Sequence, residues 1–474
     1  MSFTSAIFSR PDIGDRPAFY FPDSQFDPIT FRALDSITQN VARRIAQLGI
    51  LPNELVALDL SNEYLHAVLL VSCARAGIAT VSGVPSSLAG IAVKATFSDR
   101  QPMRTELYPV HAVTQQWLSD SVDQSPYRFP QVSGDQLCRV MLTSGTTGTP
   151  KVSYLTYDMV QERIDSYLPA FGQDFAGATN VMCGMQLSSS LGFGFLFNAL
   201  ARGASYCADS KDFDQLSAAI KKLDIRVLIV SPATLAELLS YCETHGRTTR
   251  LVENIYTAGS LIGPELESRV RGVLCDKLVV FYGTTETGVV AVRTSPGTLG
   301  DVGTIVASKR VEILGEDGKE KPQGQSGAIR IRNVDGSASF YDQNGIQERQ
   351  GIDHFMPGDL GLIDSRHHLI MLGRQDSIIN AGGVKTSPEL LEQIICSAPG
   401  VRDCGVITRR DGMGIDRIVA FLVLRPGWAE GPFLTHCKEK IGHHFLPTKF
   451  VILKSIARNA NGKIDRQALA RQET

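Results

Sequence analysis

The sequence predicts an α/β protein that gives way to a smaller α+β unit near its C-terminal end. Three observations point there. Between Phe31 and Ser82, apolar residues at helical spacing alternate with short apolar runs, the pattern of βαβ units on a largely parallel sheet. From Arg310 the texture changes to short β segments broken by Gly, Asp and Pro, which fits a small antiparallel subdomain. Beyond Asp376, about 100 residues mix helix and strand patterns, a normal length for one further domain.

Taken in order, Phe31, Leu34, Ile37, Val41, Ile45 and Leu48 make one apolar helix face, closed by Gly49. Leu55–Leu60 reads as a strand, Tyr64–Arg75 as a helix and Ile78–Ser82 as a strand. Arg139–Leu142 is a buried strand by its apolar run, and Thr156–Leu168 a helix. Strands Arg226–Val230, Asn254–Ala258 and Leu278–Phe281 alternate with helices Pro232–Cys242 and Pro264–Cys275. Val311–Leu314 and Ala328–Arg332 are β segments. In the last stretch, Ser387 caps a helix over 388–397 with Pro388 at its first position, and strands 403–408 and 416–424, helix 433–442 and strand 449–454 follow.

Composition narrows the function classes. Of 474 residues, 43% are hydrophobic and 20% charged, an ordinary soluble balance. The net charge of -2, from 47 basic and 49 acidic residues, offers no nucleic-acid surface. The 9 cysteines are odd in number, contain no Cys-x-x-Cys pair and read as free thiols of a reducing compartment. No signal peptide is read at the N-terminus and no apolar run has the ~20 residues of a membrane span, so the expected location is the cytoplasm. His367-His368 and His443-His444 lack a third ligand at metal-site spacing and read as solvated surface.

Chemistry concentrates in a few stretches. Leu142–Lys151 packs hydroxyls, glycines and a lysine behind a strand, a composition that makes either a surface turn or a concave anion cradle. It is not a Walker loop, because Gly-x-x-x-x-Gly-Lys-Ser/Thr cannot be laid on it. Ala258-Gly259-Ser260 and Tyr282-Gly283-Thr284-Thr285-Glu286 both lie just past strand ends, where parallel sheets bind ligands. A glutamate there is a hard oxygen ligand suited to Mg²⁺ beside phosphates.

Thr143–Lys151 resembles the Thr-Ser-Gly-Ser/Thr-Thr-Gly-x-Pro-Lys signature of the adenylate-forming superfamily, which includes acyl- and aryl-CoA synthetases, nonribosomal peptide synthetase adenylation domains and beetle luciferases. Tyr282–Glu286 resembles its Tyr-Gly-x-Thr-Glu motif, and Gly358-Asp359 its Thr-Gly-Asp with Pro357 in place of Thr. Gly373–Asp376 is similar to its Gly-Arg-x-Asp hinge. Ala457–Arg466 is similar to its Pro-Arg/Lys-Thr-x-x-Gly-Lys-Ile-x-Arg, with Ala457 and Asn459 replacing Pro and Thr.

The resemblance implies a large N-terminal domain of packed sheets and helices with a small β-barrel-like subdomain, over 1–375. A mobile α+β C-terminal domain over 376–474 would turn at Asp376. It implies activation of a carboxylic acid by ATP to an acyl-AMP, then transfer to a thiol, of coenzyme A or of the phosphopantetheine arm of a separate acyl or peptidyl carrier protein. A non-catalytic nucleotide-binding relative is the contrasting class. A small-molecule acid would be the substrate, and the chain would act as a monomer or homodimer. Thr143, Ser144, Gly145, Thr146, Thr147, Gly148 and Lys151 would carry the β,γ-phosphates, with Mg²⁺ on Glu286. Gly259, Ser260 and Tyr282 would hold adenine, Gly283 and Thr284 would belong to the same ATP/AMP site, Thr285 would bond the α-phosphate, and Asp359 with Arg374 would hold the ribose. Lys463 would be the catalytic lysine, and Gly383 would face the site in the thioester step. In the acyl-pocket stretch Met185–Ala204, the family carries an aromatic residue or His three places before a glycine. Here Ser189 precedes Gly192, and Phe193 reads as core or as pocket lining.

Overall fold

The computed structural model describes residues 2–21, 28–83, 91–100, 108–119, 125–143, 151–171, 180–210, 212–246, 250–332, 340–341, 354–381, 384–410, 416–425, 427–441, 445–459 and 462–472. At 119, 143, 151, 168–170, 340–341, 381, 384–385, 410 and 416 it describes the backbone alone. The chain forms two compact units, 1–229 with 285–288 and 334–353, and 230–284 with 289–333 and 354–474.

The first unit is built as the apolar periodicity demands. Its larger sheet runs in the order Phe340–Tyr341, Lys151–Thr156, Leu137–Thr143, Ala79–Ser82, Leu55–Asp59, Ala95–Ser98, Val110–Ala112. From Leu137–Thr143 onward the neighbours are parallel, whereas Leu137–Thr143 and Lys151–Thr156 form an antiparallel hairpin. Helix Glu63–Arg75, started by the Asn62 side chain accepting from Leu65 N, is buried from Tyr64 to Ala74, which removes any amphipathic signature. A second set of strands runs Ile225–Val230, Asn180–Cys183, Ser205–Ala208, Pro17–Tyr20, with Ile29–Thr30 antiparallel at its edge. Helix Ser190–Ala201 brings Phe193, Phe195 and Phe197 into this unit's core.

The second unit joins parallel to antiparallel texture. Val252–Thr257 and Cys275–Thr284 are parallel, with helix Pro264–Val273 between them. The sheet then continues through Gly288–Arg293, Asp301–Ile305, His368–Arg374, Asp359–Ile363 and Gly327–Arg332 to Arg310–Leu314. Val290, Val302, Ile313, Ile329, Ile331 and Leu369 fill the core of this part. The C-terminal residues fold as expected of a mixed unit: helix Pro388–Cys396, strands Val401–Arg410 and Asp416–Leu424, helix Glu430–Ile441 and strand Lys449–Ile452 follow in that order, and the three strands form one sheet. Alternation assigns the two faces of that sheet: Val406, Ile418, Ala420 and Leu422 go to one core, and Ile407, Val419, Phe421 and Val423 to the other.

Candidate active site

In the second unit, three residues far apart in sequence meet around one carboxylate. Asp359 and Arg374 face each other across the antiparallel ladder of Asp359–Ile363 with His368–Arg374. That register places Arg374 Nη1 3.3 Å from Asp359 Oδ1, and the same nitrogen donates to the Pro357 carbonyl at 2.9 Å. Gly358, at φ 79, makes the turn into Asp359 that a residue with a side chain would resist. From the end of strand Cys275–Thr284, the Tyr282 hydroxyl donates to Asp359 Oδ2 at 2.5 Å. Burial pushes the Asp359 carboxyl above its usual range, and the Tyr282 hydrogen bond and the charges of Arg374 and Lys463 pull it back.

Lys463 reaches this carboxylate electrostatically from a hairpin closed by a bridge between Arg458 and Ile464. Asn459 N donates to the Lys463 carbonyl at 2.8 Å, and Asn459 Oδ1 accepts from Lys463 N at 3.1 Å. The asparagine thus supplies a side-chain acceptor where the resembling pattern has a threonine. Gly462, at φ 75, lies against Ser231, the cap of helix Pro232–Thr244, where an added Cβ would stand 3.1 Å from Ser231 Oγ.

Within the first unit, Glu286 is 8% exposed, and Thr287 beside it is fully buried. Helix Tyr157–Phe171 holds this segment: Arg163 Nη2 donates to the Glu286 carbonyl at 3.2 Å, and its stem lies alongside Gly288, 3.5 Å from where a Cβ there would stand. Sequence reasoning missed Arg163, which looks like any polar residue of an amphipathic helix. The last rung of the hairpin pairs Thr143 with Lys151. The expectations for Ser144, Gly145, Thr146, Thr147 and Gly148, and for Gly383, concern residues outside the described ones.

The stretch expected to run along an acyl pocket has a definite local role. Ser189 caps helix Ser190–Ala201, accepting from Gly192 N at 3.0 Å and donating to the Gln186 carbonyl at 2.7 Å. A Cβ on Gly192 would meet that same carbonyl oxygen at 2.1 Å, so the turn requires glycine there. Phe193 is buried, its ring 4.7 Å from that of Phe197 and 5.4 Å from the Arg139 guanidinium. Arg139 is wholly buried, donating to Thr80 Oγ1 at 3.0 Å and to Ser82 Oγ at 2.6 Å. Burial pushes its pKa down to about 10, which leaves it cationic at neutral pH. His66 Nε2 lies 2.8 Å from the same Ser82 hydroxyl.

The remaining expected positions are simpler. Gly259 follows strand Val252–Thr257 at φ 93 with open space around its α-carbon, and Ser260 is exposed beside it. Gly283 is exposed and Thr284 and Thr285 are half-buried. Asp376 lies in the single turn Gln375–Ser377, its carboxylate 3.8 Å from Arg374 Nε. The cysteines are free, and all but Cys396 are buried. His368 pairs with the buried Asp301 at 3.1 Å and is not solvated surface, while His443-His444 lies outside the described residues. No helix among the described residues is long and apolar enough to cross a membrane.

A family model described as AMP-binding enzyme matches residues 89–341, and one described as AMP-binding enzyme C-terminal domain matches 390–463. The 4-chlorobenzoate–CoA ligase of an Arthrobacter species is 24% identical over 469 residues, covering 93% of this chain and 89% of the relative. Malpinin synthetase of Mortierella alpina is also 24% identical, over 493 residues that cover 93% of this chain but 6% of that much longer protein. Among solved structures, the anthranilate CoA ligase AuaEII in complex with anthranoyl-AMP superposes with a TM-score of 0.84 at 19% identity, covering 100% of this chain and 97% of that one. That likeness fixes the α/β architecture with its small C-terminal part. With the first model matching more than half of its length, the chain belongs to the AMP-binding enzyme family.

Proposed function

We propose that this chain joins a carboxylic acid to coenzyme A through an acyl-AMP. The observation that carries the reading is Asp359, a buried carboxylate held by Tyr282 and Arg374 with the charge of Lys463 acting on it. Two acceptor oxygens suit the ribose diol, and the nearby lysine suits the anionic chemistry next to it. Relatives named as aryl-CoA ligases support the acid-thiol assignment.

A carboxylate oxygen attacks the α-phosphorus of ATP, the bond to the β-phosphate oxygen breaks, and pyrophosphate leaves. The thiol of coenzyme A then attacks the acyl carbon, AMP leaves, and the thiol proton passes to solvent. No base is needed in the first step, because the acid is already ionised near neutral pH. Charge builds on oxygen in both steps, so fixed cations and N–H donors supply most of the rate. Lys463 stabilises the approach of two anions, Thr285 binds the α-phosphate, and Gly259, Ser260 and Tyr282 take the adenine. Ser144–Gly148 with Lys151 carry the outer phosphates.

Glu286 fits Mg²⁺ on chemical grounds. Among the described residues no group of three His, Cys, Asp or Glu side chains could hold a metal. A buried single carboxylate such as Glu286 suits a hard cation that draws its other oxygens from phosphates and water. Bound there, the ion would neutralise phosphate charge.

The acid carries no α-ammonium. Met185–Gly194 contains no acidic residue, and a buried ammonium without a partner costs several kcal/mol, about 3–5. Pyrophosphate exchange over a panel of aryl, aliphatic and α-amino acids tests the reading, followed by thioester assay with coenzyme A and with a phosphopantetheinylated carrier protein. Exchange with aryl or aliphatic acids and thioester on coenzyme A is expected. Exchange with α-amino acids alone, or with no acid, sinks it, and transfer only to the carrier reassigns the acceptor.

A further inference from the structure

The peptide that precedes Lys463 is held at both of its polar atoms. Arg458 Nη1 donates to the Gly462 carbonyl at 3.1 Å, and the Lys463 N–H donates to Asn459 Oδ1 at 3.1 Å. Arg458 is itself anchored, Nη2 donating to the two oxygens of Asp403 at 2.7 and 2.9 Å. Past the lysine, Arg466 Nη1 donates to the Val406 carbonyl at 2.7 Å and to the Glu392 carboxylate, and Nη2 donates to Glu389 at 2.7 Å. Asp403 and Val406 belong to one strand, Val401–Arg410, and Glu389 and Glu392 to helix Pro388–Cys396. The hairpin is therefore fastened on both sides of Lys463 to the same rigid layer.

Packing alone already secures this segment. Ile456 and Leu469 are buried and share a core with Ile407 and Phe421. Partly buried ion pairs add little net stability beside such packing, since desolvation offsets attraction. What a forked guanidinium adds is direction, because its donors lie in one plane and fix the groups they bind.

We infer that Arg458 and Arg466 are positioning residues for Lys463, setting where its ammonium stands relative to Asp359. The inference rests on the reading that Lys463 acts in acyl-AMP formation. Arg458 works through the 462–463 peptide, and Arg466 through the far end of the hairpin. Neither touches substrate.

The test is a double-mutant cycle on the full-length protein. Arg458→Gln and Arg466→Gln are made alone and in a Lys463→Ala background, and both half-reactions are followed, with folding checked by circular dichroism. Each arginine variant should lower the adenylation kcat by about 10- to 100-fold, the scale of an ångström-level misplacement, with ATP KM changed by less than about threefold. Supplied acyl-AMP should still be converted to thioester within about twofold of wild type. In the Lys463→Ala background the arginine substitutions should cost nothing further, since the group they place is gone. Glu237, on helix Pro232–Thr244 and within electrostatic reach of Arg458, separates positioning from docking: Glu237→Gln should leave adenylation near wild type. Additive losses in the cycle, or equal loss of both half-reactions, overturn the inference. If Arg466→Gln does not fold, Arg458→Gln alone decides. Wild-type adenylation by Lys463→Ala would instead remove the reading on which the inference rests.

Discussion

The Tyr282 hydroxyl donates to Asp359 Oδ2 at 2.5 Å, so an aromatic residue from a strand end and a carboxylate 77 positions later form one unit. Tyr282→Phe keeps the ring and deletes the bond. Hydrogen bonds to charged groups contribute about 1.5–3 kcal/mol, so ATP KM should rise by about 10- to 100-fold. The pH dependence should move as well. Burial already raises the Asp359 carboxyl and the Tyr282 bond lowers it, so without that bond the group protonates at a higher pH. On the proposed reading, in which the Asp359 carboxylate binds the ribose of ATP, the acid limb of ATP binding should shift upward in the variant. ATP KM measured across the acid range checks this, and an unmoved limb counts against the pairing.

His66 gives the fold its own acid sensitivity. Burial first, and the Arg139 charge second, push its pKa from 6.5 down to about 3. The neutral ring can then accept a hydrogen bond from the Ser82 hydroxyl, whose oxygen accepts from Arg139. The folded chain therefore binds fewer protons at this residue than the unfolded chain between those two values. Its stabilising contribution is complete above about pH 6.5 and is lost as the pH falls towards 3, by up to ~1.4 kcal/mol per pH unit. His66→Gln should flatten this part of the acid-unfolding curve. Identical urea midpoints against pH for wild type and variant would refute it.

Two glycines make opposite predictions. At Gly192 an added methyl would overlap the Gln186 carbonyl oxygen at 2.1 Å, so Gly192→Ala should destabilise by about 1–3 kcal/mol and disturb the Ser189 cap. At Gly272, exposed in helix Pro264–Val273, nothing lies within 4 Å of the new atom. Gly272→Ala should stabilise by about 0.5–1 kcal/mol through helix propensity alone. Thermal melts of the two proteins should move in opposite directions.

Local patterns were legible where one face of an element is buried and the other is not. The strands and helices from Phe31 to Ser82 fall where apolar spacing puts them, within a residue or two at each end. Helix Ser190–Ala201 was not legible, because phenylalanine and leucine surround it and no polar face marks its period. The motif residues Tyr282, Asp359, Arg374 and Lys463 could be named from the sequence, but their mutual contacts could not. Asp359 and Arg374 meet only through a strand register, and Lys463 arrives on a hairpin from the far end of the chain. Arg139 and Arg163 were passed over for the same reason. An arginine inside an apolar strand, or on a mixed helix, shows its meaning only when Ser82 or the Glu286 carbonyl stands in front of it. Arg139 did leave a signal, a lone charge beside Val140-Met141-Leu142.

Asp376 is the residue at which we propose that the C-terminal part turns. It follows strand His368–Arg374 in a single exposed turn, and Gln375 N before it is tied to the Gly358 carbonyl at 2.8 Å. A rotation at such a point must be absorbed by φ and ψ of one or two residues, and proline fixes φ near -65°. On the proposed reading of Lys463, whose charge acts on Asp359 here, this arrangement is the one suited to acyl-AMP formation. Asp376→Pro should therefore keep pyrophosphate exchange within a few-fold of wild type. It should slow thioester formation from supplied acyl-AMP by at least about tenfold, since conformational steps of this kind limit turnover. Asp376→Ala leaves φ free but removes the carboxylate that stands 3.8 Å from Arg374 Nε. If rotation is what matters, alanine is nearly silent and proline is not. Equal damage from both substitutions would mean that the carboxylate holds Arg374 against Asp359, and equal loss of both half-reactions in the proline variant would place the turning point elsewhere in the chain.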